Sequence, residues 1–365
     1  MTAGRTRTIA SPLMAVAFAT IAACSPGTVG VEAARSDRIP TTTSAEPVDP
    51  PDDSPPPDDT LPSDDTLPSD DSEAQLPPSS EPEVPLTQDE IDELVAELTA
   101  GGFCDADDVR DEGIVTAMHF VVQGRLQAPC YVDQPGEGDE PADVVVDDDP
   151  RLVAAWESLV AVTPNELVSD ISLLAGFEPC STCDTLAFVT ILDEDSTFFL
   201  LAVDVVAGED DPDELRLTMM HELSHVFTQR SGEQLDVSAL GAAGCDTFYN
   251  GNGCFTDDSY IWAWIQEFWP PEIRDTLPAD GTVGTEDEGV DRCELDAGYT
   301  GSYAARHPEE DFAETFSAYV YDVEVDPALG AKFAFFDRFP EFASIRERAR
   351  DLGFAGTESN FDGCG

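Results

Sequence analysis

Apolar positions recur at helical spacing from Ile91 through Leu94, Val95 and Leu98, and the run stops at Gly101-Gly102. Thr87 with Glu90 opens it as a capping box. A helix is therefore expected just after residue 86. Gly113 to Ala128 is apolar and β-branched and reads as strand or mixed structure, and Arg151 to Val162 as helix. Thr185–Leu192 and Thr197–Val206 are β-rich runs separated by Asp193-Glu194-Asp195-Ser196, the pattern of a hairpin. The second of them is a candidate edge strand for pairing with an extended peptide; an ordinary buried strand is the competing reading.

From Leu215 to Arg230 the chain reads LRLTMMHELSHVFTQR. Leu215, Met219, Met220, Leu223 and Phe227 give this stretch one apolar side. Pro212 suits a first helical turn, with Asp211 or Asp213 at its N-terminal end, and Ser231-Gly232 suits its stop. Gly241–Asp258 and Asp280–Asp291 read as loops, the second of them acidic. Tyr260 to Trp269 crowds five aromatic residues and two isoleucines before Pro270-Pro271 and reads as a core helix. A further helix begins at Pro308, with Phe312, Phe316 and Tyr319 or Val320 on its inner face.

Two segments have no such periodicity. Residues 24–85 are rich in Pro, Asp, Ser and Thr, with DDTLPS at Asp58–Ser63 and again at Asp64–Ser69. That composition buries too little apolar surface to offset chain entropy, so a disordered, extended acidic linker is expected. Before it, Arg5 and Arg7 precede a short apolar run from Pro12 to Ala22, too short for a comfortable membrane span. The run ends in Ile21-Ala22-Ala23-Cys24. Residues 1–23 therefore read as an export signal of lipoprotein type, with Cys24 as the lipidation site that becomes the anchored N-terminus. An ordinary signal peptide with a chance cysteine is the alternative. Residues 86–365 form the folded domain, with its core at about 184–350.

Charge and cysteine count sharpen this picture. Lys+Arg 17 against Asp+Glu 76 gives a net charge of -59, which excludes nucleic acid and anionic lipid headgroups as electrostatic partners. A membrane contact is expected through the lipid anchor alone, at the outer face of a bacterial cell membrane, with the protein a monomer. Apart from Cys24 there are eight cysteines, an even number in an exported chain, so four disulfides are expected. Eight cysteines allow 105 pairings. Local pairing suggests Cys104–Cys130, Cys180–Cys183, Cys245–Cys254 and Cys293–Cys364. The CxxC at Cys180 has no second CxxC to complete a zinc ribbon.

The chain has four histidines, and two of them, His221 and His225, stand with Glu222 in HExxH. On a helix, i and i+4 lie on one face, so both imidazoles can meet one metal ion, with Glu222 placed beside its water as general base. Three protein ligands are the usual count at catalytic zinc. The third is sought at YAARHPEEDFAETFSAY, Tyr303–Tyr319, where Glu310 and Glu314 share a helix face. Asp311 is a rival ligand, and Glu309 a weaker one. His119 in an apolar run reads as a core residue, and His307 as a surface residue. Acidic DVVVDDD at Asp143–Asp149 lacks the EF-hand spacing and reads as solvated loop.

HELSH followed some 80 residues later by YxxxxPEEDFAE resembles the gluzincin group of zinc metallopeptidases. The stretch is most similar to the catalytic domain of anthrax lethal factor, its secreted relatives and zinc-binding metallopeptidase lipoproteins. The resemblance covers roughly residues 197–321. It implies an α+β, zincin-like domain: a small mixed sheet, the HExxH helix and a second ligand-bearing helix. It further implies one Zn2+ held by His221, His225 and Glu310, Glu314 supporting from behind, and Tyr303 assisting the transition state. The implied activity is hydrolysis of peptide bonds in a peptide or protein substrate. Two other outcomes remain compatible: a surface-binding lipoprotein that keeps the fold without catalysis, and a zinc amidase acting on cell-wall peptide. The metzincin pattern HExxHxxGxxH is excluded, because position 228 is Thr and position 231 is Ser.

Overall fold

The structure, a computed structural model, describes residues 86–365 apart from 101–103, 105–106, 131, 135–141, 145–148, 182, 184, 194–195, 240, 360, 362 and 365. The export signal, Cys24 and the linker lie outside the described residues. The helix expected after the linker is α1 (Gln88–Ala100). The Thr87 amide donates to Glu90 Oε2 at 2.8 Å and the Glu90 amide to Thr87 Oγ1 at 3.4 Å, a reciprocal cap.

A short α2 (Asp107–Glu112) leads into β1 (Gly113–Val122), which returns as β2 (Arg125–Pro129). Gln123 and Gly124 turn the chain, both at positive φ (48° and 70°), as a two-residue hairpin loop requires. β3 (Val132–Gln134) and β4 (Ala142–Val144) form a separate two-stranded ribbon, so the acidic loop expected here carries a strand. After α3 (Pro150–Val162) and α4 (Asn165–Val168) come β5 (Ile171–Pro179), β6 (Ala187–Ile191) and β7 (Phe199–Asp204). The main sheet has the order β2-β1-β5-β7-β6. Its only parallel pair is β5 with β7, and β6 runs antiparallel to β7. The hairpin therefore forms, and of the two readings of its second run the ordinary buried strand holds. Thr197–Val206 supplies the interior strand β7, and Thr185–Leu192 supplies the edge strand β6. Every β7 side chain is buried, and its backbone groups pair on both sides.

Asp204 caps α5 (Val205–Asp210), and Asp211 caps α6 (Pro212–Thr228) by accepting from the amides of Asp213 and Glu214. α6 ends two residues earlier than its sequence suggests, with the Gln229 amide closing on His225 O. A two-stranded β8 (Leu235–Asp236) and β9 (Cys254–Phe255) follows. Next are α7 (Tyr260–Phe268), α8 (Pro271–Arg274) and α9 (Glu286–Leu295). α9 stands where an acidic loop was expected. Thr285 and Glu288 form a capping box, and the acids Glu286, Asp287 and Glu288 sit in the first turn, where the helix dipole favours them. α10 (Pro308–Val320), α11 (Gly330–Phe336) and α12 (Pro340–Asp351) complete the described helices.

Aromatic packing locks α6 against α10. Phe227 of α6 lies 5.5 Å from Phe316 and 5.4 Å from Phe342, while Phe312 lies 5.4 Å from Trp264 and 5.1 Å from Phe336. Such edge-to-face contacts add directionality to burial, so the phase of α10 relative to α6 is fixed. All four expected cysteine pairs stand at bonding distance: Cys104–Cys130, Cys180–Cys183, Cys245–Cys254 and Cys293–Cys364, with Cα separations of 5.7, 5.1, 5.6 and 4.9 Å. The whole is a mixed α and β domain. Among the described residues no helix is long and apolar enough to cross a membrane.

Candidate metal centre

α6 presents His221 and His225 on one face, and α10 brings Glu310 to meet them. His221 Nε2 lies 3.1 Å from Glu310 Oε2, His225 Nε2 lies 3.5 Å from the same oxygen, and the two Nε2 atoms are 3.2 Å apart. Among the described residues this is the one group of three or more His, Cys, Asp or Glu side chains with ligand atoms close enough to share a metal.

The donors can be tested against a tetrahedral ion. Zinc–ligand bonds of about 2.0–2.1 Å place ligand atoms about 3.3 Å from one another. The three observed separations bracket that value. Electrostatics agree with the geometry. Burial works against a charge on His225, yet the Glu310 charge and hydrogen bond, with Glu222 and Glu309, hold its imidazole up at about 9. Burial likewise opposes ionisation of Glu310, but the two imidazoles pull its carboxyl well below the usual range. The cluster thus attracts positive charge at its centre, and its donors fit a bound Zn2+.

Glu222 is buried, and its Oε2 has no hydrogen-bond partner. Its carboxyl is pushed up by burial and by Glu310, against the pull of His221 and His225 and a hydrogen bond from the Val189 backbone. That bond ties α6 to β6. An orphaned, buried carboxylate oxygen costs free energy, which a structure tolerates where the oxygen has work to do. The Tyr303 ring centroid lies 6.2 Å from that of His221. Burial and the charges of Glu310 and Glu222 raise its phenol well above the usual value, so it is a donor at neutral pH.

The rivals for third ligand separate cleanly. Asp311 points away from the histidines: its Oδ2 accepts from the indoles of Trp264 (3.0 Å) and Trp269 (2.9 Å), and its Oδ1 from Lys332 Nζ (2.5 Å). Glu309 Oε1 accepts from Gln229 Nε2 (3.0 Å) and Asn250 Nδ2 (3.1 Å). It ties the end of α6 and the loop before β9 to α10. Nothing in the sequence singled out Asn250, whose partner is 59 residues away. Glu314 accepts from Thr300 Oγ1 at 2.6 Å, and its charge reaches Tyr303.

His307 corrects an expectation. It is buried rather than on the surface, because it caps α10: its Nδ1 accepts from the Glu309 amide at 3.4 Å. Burial then pushes it down to about 4, so it stays neutral. His119 is buried in β1, as a core residue would be.

No family model matches the chain, and no curated protein matches it. A solved structure from Bacteroides caccae, described as "a putative zinc-binding metallo-peptidase", is similar at 14% identity over 59% of this chain and 75% of that one, with a TM-score of 0.24. At that TM-score the likeness decides nothing about this chain's fold or chemistry.

Proposed function

We propose that this protein is an exported, lipid-anchored, zinc-dependent endopeptidase with a zincin-like domain. The observation that carries the reading is the convergence of His221, His225 and Glu310 at 3.1–3.5 Å, with the free oxygen of Glu222 buried beside them. His221, His225 and Glu310 would hold the zinc, which would supply Lewis-acid chemistry: polarisation of the scissile carbonyl and a water with its pKa lowered toward about 7. Glu222 accepts the proton of the attacking water and returns it to the leaving amine. The Tyr303 hydroxyl donates a hydrogen bond to the carbonyl oxygen as negative charge develops there. Among the described residues β6 is an edge strand of the main sheet, and its Val189 backbone bonds Glu222, so an extended peptide adds to the sheet there as a further strand. Cys24 carries the lipid and residues 25–85 tether a monomeric domain away from the membrane.

The test is direct. Zinc-loaded protein is incubated with a diverse peptide library beside a Glu222→Gln control, and products are read by mass spectrometry. Cleavage by wild type alone, with turnover down ~10²–10⁴-fold in the variant, is the expected result. Cleavage confined to cell-wall peptide fragments would make it an amidase. Bound zinc with no cleavage of either substrate would leave a binding lipoprotein.

A further inference from the structure

Tyr303 does not stand on a regular helix or strand. It sits at the start of a single 3₁₀ turn, Ala304–Arg306. So short a turn has little rigidity of its own, and a phenol on a long side chain magnifies any tilt of the backbone beneath it. An oxyanion donor must end about 2.7–3.1 Å from where the charge will form. The surroundings of the turn supply the rigidity that it lacks.

We propose that α9 is a clamp that sets the Tyr303 phenol, with Gly289 and Arg306 as its positioning residues; this rests on the reading of Tyr303 as an oxyanion donor. α9 approaches the turn to backbone contact. A Cβ on Gly289 would lie 2.3 Å from Ser302 O and 2.6 Å from Arg306 Cγ, closer than any side chain can sit. Glycine is what lets this helix reach the turn. Arg292 of α9 donates from Nη1 to Ala305 O at 2.8 Å. Arg306 donates from Nε to Gly284 O at 2.8 Å, just ahead of α9, and its guanidinium carbon lies 5.2 Å from the centroid of the Tyr303 ring. The phenol ring is therefore held on one side by a cation that is itself pinned to backbone.

The chain ahead of the turn is fastened to the same helix by a second route. Thr300 O accepts from the Gly363 amide at 3.1 Å, and the next residue, Cys364, is bonded to Cys293 of α9. Thr300 Oγ1 in turn donates to Glu314 on α10. Both sides of Tyr303 are thus tied to α9, although none of these contacts touches the proposed metal ligands.

The experiment uses the full chain with zinc bound and 3-fluorotyrosine placed at position 303. Arg306→Gln and Gly289→Ala should each shift or broaden the 19F resonance of that residue. On the library peptide cleaved best, both should lower kcat by about 10–100-fold, within the cost of losing one oxyanion donor, while KM and zinc content stay at the wild-type level. Arg306→Lys, which keeps the cation, should recover part of the loss. In a Tyr303→Phe background neither change should lower kcat further, since the group being positioned is gone. An unaltered 19F resonance, or losses that multiply in the Tyr303→Phe background, would overturn the clamp. If Tyr303→Phe turns over like wild type, the catalytic reading of Tyr303 fails instead, and the 19F result still judges the clamp.

Discussion

Lys332→Met should be among the most destabilising single changes in the domain. Asp311 is 0% exposed and Lys332 5%, and their charged atoms are 2.5 Å apart. Burial disfavours both charges, pushing the carboxyl up and the ammonium down, and each is held back chiefly by the other. Removing the lysine leaves the carboxylate with two indole donors and the Thr315 hydroxyl, 3.5 Å away, but no counter-charge. Breaking a buried pair from one side costs about 3–5 kcal/mol. Adding Asp311→Asn removes the orphaned charge and keeps an oxygen for the Trp264 and Trp269 N–H groups. The double variant should therefore be more stable than Lys332→Met by roughly 2 kcal/mol, the worth of an unsatisfied buried charge over a neutral polar group. Urea unfolding with a chelator present measures this without a contribution from metal binding. If the double variant proved no more stable than the single, the loss would lie in packing around the lysine stem and the electrostatic account would be wrong.

Two further outcomes follow from the site and the surface. Glu310→Ala should abolish stoichiometric zinc, whereas Asp311→Asn should lower stability yet keep the metal; metal analysis after dialysis distinguishes them, and zinc retained by Glu310→Ala would reassign the ligand. Asp322 is partly buried, which raises its carboxyl, but hydrogen bonds from Arg350 and Arg346 outweigh this and hold it below the usual range. Its contribution is thus present above about pH 4 and lost as pH falls through the depressed value. Asp322 sits at φ 50°, which Asn also tolerates, so Asp322→Asn isolates the charge. Wild type should lead this variant by no more than ~1 kcal/mol at pH 7, given solvent screening, and the gap should narrow in thermal melts as the pH falls below about 4.

What the sequence made legible was local. HExxH fixes its own geometry, because i and i+4 meet on any helix, and Asp211-Pro212 and Pro308 announce where the two helices begin. Choosing among Glu309, Glu310 and Asp311 was another matter. Three consecutive acids point in three directions, and only the phase of α10 decides among them. That phase is set by Phe312 and Phe316 packing on Phe227, Phe336 and Phe342, contacts spanning up to about 90 residues. The same limit left Thr197–Val206 open between edge and buried strand, since strand order in a sheet is not a property of either run. His307 was misplaced because its capping role depends on an amide that exists only once α10 has formed. α9 carries its own signal, since Thr285 and Glu288 spell a capping box, but six charged residues in its ten mask its two inward residues, Gly289 and Cys293.

Lys332 is the single lysine in all 365 residues, and this gives the molecule an unusual covalent chemistry. Reagents that acylate amines find two kinds of target in most proteins' surfaces and termini; here the side-chain target lies wholly inside, under Tyr299 and Trp264. Its acylation requires α11 to part from α10, so the labelling rate reads the opening of the seam behind Glu310. A plain amine reagent thereby becomes a clock for motion at the back of the metal centre, with no engineered probe.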